Sequence, residues 1–315
     1  MHVRGRPLHF GVQLQAQGTT WAEYARGVQA VEDLGFGSVW TFDHLLPFVG
    51  PDDRPCFETL TTLAAMAVLT SKARIGVLVN GVLYRHPAVL AKAAAQIDEM
   101  SGGRLDFSLG AAWAEREFKA YGLDFPPLAE RYARLDEALQ LVKLLWAQDR
   151  TTFRGRFYQL EEAPCDPKPV QSPHPPITIG GAGLGSLRIA AAHANRLNLV
   201  GPASKCAERI TKLEELCAES GRNFDDIELS AHPNISVAPT AEQAETQARR
   251  AAATNSQDLD TQRDNWLIGT PADVVEGLRG YIAIGVNHFV FAAGHPFDLA
   301  PLRLLQQEVF PTLTA

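Results

Sequence analysis

"ARIGVLVNGVLYRHPAVLAKAAAQIDEMSGGRLDFSLG", residues 73–110, reads as one strand–helix–strand unit. Residues 73–79 are an apolar, β-branched run, the pattern of a strand covered on both faces. Pro87 then opens an Ala-rich helix, because its fixed φ and missing N–H suit the first helical position. Gly102 and Gly103 close that helix, and residues 104–110 supply the next strand. Two strands joined by a helix of this length lie parallel in one sheet.

The same alternation runs outward in both directions. Toward the N-terminus, residues 8–14 form a strand, Thr20 caps a helix that Gly35 terminates, residues 37–42 form a buried strand, and a helix covers about 58–70. Toward the C-terminus, a helix over 129–147 carries apolar residues at 135, 138, 139, 142, 145 and 146, one continuous stripe. Residues 149–176, rich in aromatics and proline, read as a β excursion plus loop. Strands follow at 177–180, 196–200, 226–238 and 287–293, with helices at 204–219, 241–254 and 272–284. Eight strands, each followed by a helix, predict a single (β/α)₈ TIM barrel. It spans residues 1–315, with 149–176 inserted between strands 4 and 5. A doubly wound open sheet is the alternative. In the barrel, function is expected at the C-terminal ends of the strands.

Composition narrows the class. With 46% hydrophobic and 21% charged residues, the chain has the make-up of a globular protein. Its net charge of −7 comes with no basic stripe, so nucleic acid is not an expected partner. "MHVRGRPLHFGV" lacks the apolar core of a signal peptide, and the apolar runs are too short for a membrane span. Cys56, Cys165, Cys206 and Cys217 show no C-x-x-C spacing. A cytoplasmic chain with neither disulfides nor a metal is the expectation.

The strand ends then yield candidate residues. Strand 2 delivers Asp43 and His44, strand 3 Asn80, Arg85 and His86, and strand 4 Trp113 and Glu115. Arg85 and His86 are expected to cap and pack, and His193 to be structural. Strand 5 runs into "GGAG" (180–183) and a helix. Glycines let the backbone approach a phosphate and a helix N-terminus offers free N–H groups, but taken alone the loop is equally a tight turn. The dinucleotide pattern fails, because Ser186 stands where its last glycine belongs. No H-x-H spacing supports a metal hydrolase, and no G-x-S-x-G elbow supports a serine nucleophile. A phosphate loop in an apolar mouth suits a flat redox cofactor that carries its own chemistry.

Five stretches in order resemble one family: "LGFGSVWTFDHLLP", residues 73–113, "AERYARLDEALQLVKLLW", "FRGRFYQLEEAPCDPKPVQSPHPPITIGGAG" and "AAHANRLNLVGP". The chain is similar to the bacterial luciferase-like flavin/deazaflavin superfamily, and within it to the oxidoreductases that use coenzyme F420. The resemblance implies hydride transfer between F420 and a small organic substrate. Gly180, Gly181, Ala182 and Gly183 would hold the ribityl phosphate, while Asp43 and His44 would lie beneath the ring. A non-prolyl cis peptide at or beside Val79–Asn80 would back it. His44 is the expected proton donor or acceptor, and Trp113 and Glu115 are expected to line the substrate pocket. Many relatives have Gly and Asn where this chain has Ala112, Trp113 and Ala114. A homodimer and a separate cofactor reductase are implied by analogy. Two alternatives stay open: an FMN-dependent monooxygenase, and a non-catalytic flavin-binding protein. Aromatic residues in the loops 45–57 and 149–176 suggest a partly hydrophobic substrate.

Overall fold

A computed structural model describes residues 1–48, 53–254 and 258–314; residues 49–52, part of the loop 45–57 named above, lie outside them. Eight strands close into a parallel barrel: β1 (His9–Leu14), β2 (Ser38–Thr41), β3 (Arg74–Val77), β4 (Leu105–Leu109), β5 (Ile177–Gly180), β6 (Arg196–Leu199), β7 (Glu228–Ala231) and β8 (His288–Ala293). They neighbour one another in chain order, and β8 pairs with β1 from His288↔His9 to Ala293↔Leu14. The open-sheet alternative is thereby excluded.

The helices outside begin where the sequence signals them. In α1 (Trp21–Asp33) the Thr20 hydroxyl accepts from the Glu23 N–H and Glu23 accepts in return from the Thr20 N–H. In α3 (Pro87–Met100) the His86 ring caps the Ala88 N–H, as expected. The helix α2 (Thr59–Leu69) precedes it, and α4 (Glu115–Ala120) and α5 (Leu128–Ala147) follow. Beyond β5 come α6 (Leu184–His193) and α7 (Ala203–Ser220), which buries Cys206 and Cys217. Residues Thr151–Arg154 and Gln159–Ala163 pair as an antiparallel hairpin inside the 149–176 segment.

One strand differs from expectation. The run 226–238 is not continuous: β7 ends at Ala231, and Asn234–Val237 pairs with Trp266–Gly269 in a separate two-stranded parallel sheet. Pro233 sits between the two pieces, and without an N–H it cannot carry a ladder onward. The helix α8 (Ala241–Thr254) belongs to this side unit, so α9 (Pro271–Ala283) is the barrel helix after β7. After β8 the chain continues into α10 (Leu299–Leu304) and a final turn that stacks Phe310 on Phe10 with ring centres 3.7 Å apart. Among the described residues, no helix is long and apolar enough to cross a membrane.

A polar cluster lies deep among the strands. The buried Asp106 carboxylate accepts two hydrogen bonds from Arg74, both at 3.0 Å, and faces Arg196 at 3.5 Å. Arg196 also pairs with Glu228 at 2.5 Å. The charges are matched around one another, as burial demands.

Candidate active site

A cavity of about 800 Å³ opens at the C-terminal ends of the strands. It collects Asp43, His44, Asn80, Trp113, Glu115 and the 180–182 backbone around one space. Residues separated by more than a hundred positions in the chain meet there because every strand runs the same way.

Asp43 and His44, just past β2, take different partners. The buried Asp43 carboxylate accepts from the Gly81 N–H at 2.9 Å and from Arg85 at 2.8 and 3.0 Å. Arg85 bonds Glu58 as well, so its role exceeds the expected capping and packing. Burial works against the Arg85 charge, but the two carboxylates outweigh it and hold its pKa above the ordinary value. Asp43 is thus fully engaged in fixing the β3 loop.

His44 turns toward α4, where its Nδ1 lies 2.6 Å from Glu117. Glu117 is buried and accepts twice more, from the Leu45 N–H at 2.7 Å and the Tyr84 hydroxyl at 2.8 Å. Burial pushes the Glu117 carboxyl up, yet the His44, Leu45 and Tyr84 contacts outweigh it and hold it below its ordinary value. A charged carboxylate only accepts, so His44 Nδ1 must donate. Nε2 is then the ring nitrogen left to the cavity. Tyr84 is raised by burial and by the Glu117 charge, so it stays a hydroxyl. Cys56, whose thiol donates to the His44 carbonyl, is pushed up to about 12 by burial and by the Glu117 and Asp43 charges. It remains a thiol.

The non-prolyl cis peptide falls at Leu78–Val79, beside Val79–Asn80 as expected. The β3 ladder reaches Leu78, whose N–H bonds Thr41 O, and Asn80 is already tied to Ser108 through its own N–H and side-chain amide. The chain must therefore turn between those two anchors. Val79 lies under Gly110 and Gly180, where an added Cβ would come within 2.8 and 2.9 Å of its methyls. Asn80 Oδ1 is buried with no hydrogen-bond partner among the described residues.

The 180–183 loop carries β5 into α6. Gly181 has φ +130°, and a Cβ there would meet the Ser186 hydroxyl at 2.3 Å. Gly183 caps α6 without any side-chain acceptor, so the first N–H groups are not claimed by a cap. Across from the loop, Arg131 donates to Ala112 O at 2.6 Å while its Nε is buried without a partner. Ala112 itself has φ +58°, a left-handed backbone uncommon for a residue with a Cβ. Trp113 stands edge-on to His44 with ring centres 5.3 Å apart. Glu115, the first residue of α4, lines the cavity. His193 instead bonds Asp136 and Lys143 away from the cavity, as expected of a structural residue.

Three site residues were not expected. Glu117 stands two positions after Glu115, and on a helix such residues face different ways, so naming one did not imply the other. His232 lines the cavity at the end of β7, its Nε2 buried without a partner and its pKa lowered to about 4 by burial. Ending β7 before the His-Pro pair would have exposed it. Arg131 lies on the first turn of α5, many residues along the chain from any strand end.

Residues 7–265 match the family model described as luciferase-like monooxygenase. An F420-dependent glucose-6-phosphate dehydrogenase of Microbacterium testaceum (strain StLB037) is 28% identical, over 98% of each chain. An FMNH(2)-dependent dimethylsulfone monooxygenase of Pseudomonas putida is 25% identical, covering 86% of this chain and 83% of its own. Among solved structures, an F420-dependent secondary alcohol dehydrogenase in complex with an F420–acetone adduct aligns with a TM-score of 0.86 at 22% identity, over 98% of this chain and 99% of that one. The coenzyme F420 dependent tetrahydromethanopterin reductase from Methanopyrus kandleri aligns at 0.82 with 21% identity, over the same shares. These two likenesses are likenesses of fold.

Proposed function

The chain belongs to the luciferase-like monooxygenase family, and from that premise we propose an oxidoreductase that passes a hydride between coenzyme F420 and a small organic substrate at the barrel mouth. The F420-dependent relatives that align end to end support the choice of cofactor. The observation that carries the reading is the meeting in one cavity of the uncapped glycine loop and His44, whose ring Glu117 holds from behind the lining.

The residues present fit the cofactor. A phosphate finds the N–H groups of Gly181, Ala182 and Gly183, the α6 N-terminus and the unpartnered Arg131 Nε. A flat ring finds Val79 behind it and the unpartnered Asn80 Oδ1 beside it. F420, when bound, supplies a deazaflavin ring that takes or gives hydride and, having carbon where a flavin has nitrogen, turns away oxygen chemistry. The protein's share is orientation, water exclusion and one proton. His44 Nε2 accepts the substrate's hydroxyl proton in oxidation and returns it in reduction. Glu117 holds the ring in the one tautomer that can do so. Asp43 acts through structure, keeping the Gly81 backbone in place. Trp113 and Glu115 form the substrate side of the pocket. A homodimer and a separate enzyme that recycles the cofactor complete the proposal.

The FMN-dependent alternative shares the phosphate loop, and its support is the Pseudomonas putida relative. A non-catalytic binder has no use for a buried, triply bonded carboxylate that orients a histidine. The test is His44→Gln, assayed with the best substrate from a panel of alcohols and carbonyl compounds. Turnover is expected to fall by about 10²–10⁴-fold while F420 still binds. Undiminished turnover would contradict the assignment of His44.

A further inference from the structure

The mouth of this cavity is unusually apolar for an exposed surface. Trp113 is 68% exposed, Leu128 48%, Val200 42% and Phe48 38%, and all four line the same opening. Exposed large hydrophobics gathered on one rim mark a place where an apolar group docks. Phe48 also stands 5.1 Å from the His44 ring, with Trp113 at 5.3 Å, so aromatic surface reaches the proton-transfer residue.

Charge at the mouth points the same way. Among the described lining residues the carboxylates are Asp43 and Glu115, and Arg131 is the sole lysine or arginine. Asp43 is held by Arg85. Arg131 is spent on Ala112 O, lies against the Phe125 ring at 4.2 Å, and keeps its Nε buried. The uncapped α6 N-terminus serves the cofactor phosphate in the reading above. A phosphorylated substrate would therefore meet Glu115 and apolar rings without a cation of its own, which leaves its desolvation uncompensated.

We infer that the substrate is an uncharged alcohol, or the matching carbonyl compound, that carries an aromatic or branched apolar group, and that it is not a sugar phosphate. The inference rests on the F420 reading and narrows it. In oxidation the carbinol C–H bond breaks and its hydride passes to the oxidised deazaflavin. The hydroxyl proton passes to His44 Nε2, and a C=O bond forms. The apolar group sits against Trp113, Leu128 and Phe48.

The test begins with F420-loaded protein and follows loss of deazaflavin fluorescence with 1-phenylethanol, cyclohexanol or glucose 6-phosphate. The reverse direction uses reduced F420 with acetophenone or cyclohexanone. The expected kcat/KM for the best apolar compound exceeds that for glucose 6-phosphate by about 100-fold or more. Trp113→Ala is expected to lower it by about tenfold while F420 affinity is unchanged, because only the substrate loses contact area. Three results would overturn the inference: glucose 6-phosphate turned over equally well or better, no apolar compound turned over in either direction, or a Trp113→Ala enzyme with undiminished kcat/KM. Failure of F420 to bind at the outset is a different result, which brings down the cofactor reading and this inference with it.

Discussion

At the scale of the residue, the account turns on Glu117. Its carboxylate takes three donors in a buried place, and each donor fixes something: the His44 tautomer, the turn at Leu45, the Tyr84 hydroxyl. Glu117→Gln is expected to lower kcat by about 10–100-fold with F420 affinity retained, because an amide can present an N–H to His44 and reverse the tautomer. Glu117→Asp should recover part of the loss, and the kcat–pH profile should shift, which a merely structural residue would not cause. Stability carries a second signature. The folded pKa of Glu117 lies below its unfolded value, so its contribution is present above about pH 4.3 and is lost as pH falls through the folded value. Urea unfolding should show an acid-side slope in the wild type that is smaller in Glu117→Gln. The place of Asp43 and His44 at the cavity was legible because strand ends in a barrel meet at one mouth. Glu117 was not, because its meaning comes from a partner 73 positions away.

At the scale of the element, the β5–α6 loop makes the sharpest statement. Its glycines are not equivalent. Gly181 holds a left-handed φ and its missing Cβ leaves room for the Ser186 hydroxyl, whereas a Cβ at Gly183 would meet only the tip of Tyr132, at 2.8 Å. Gly181→Ala is expected to cost about 1–2 kcal/mol of stability and to weaken F420 binding about tenfold or more. Gly183→Ala, where Tyr132 can swing aside, should do much less of both. Thermal melts and cofactor titrations of the pair would show it, and equal effects would count against the loop geometry. The barrel strands themselves were readable from apolar runs and their spacing. The side sheet was not: Trp266–Gly269 is a four-residue strand without alternation, and its partner seemed continuous with β7 until Pro233 is counted as a break. The cis bond at Leu78–Val79 lies beside Val79–Asn80, where the family resemblance had put it.

At the scale of the whole molecule, unbroken alternation favoured a closed barrel over a doubly wound open sheet, and the β8–β1 pairing decides between them. The polar cluster inside was invisible to that argument, because Asp106, Arg196 and Glu228 each look like ordinary charges in a strand. Its removal gives a test of how the barrel is held. Asp106→Ala leaves Arg196 buried with Glu228 alone, and should lower stability by about 3–5 kcal/mol in urea unfolding. The same barrel sets the 180–182 backbone, Val79 and His44 around one cavity, and the proposed function depends on what that cavity holds. The most direct measurement is a parallel titration of the purified protein with coenzyme F420 and with FMN, each oxidised and reduced, followed by fluorescence and absorbance. Tight F420 binding, weak FMN binding and F420 affinity about tenfold or more lower in Gly181→Ala are expected. Preference for FMN, or binding of neither, would contradict the proposed function.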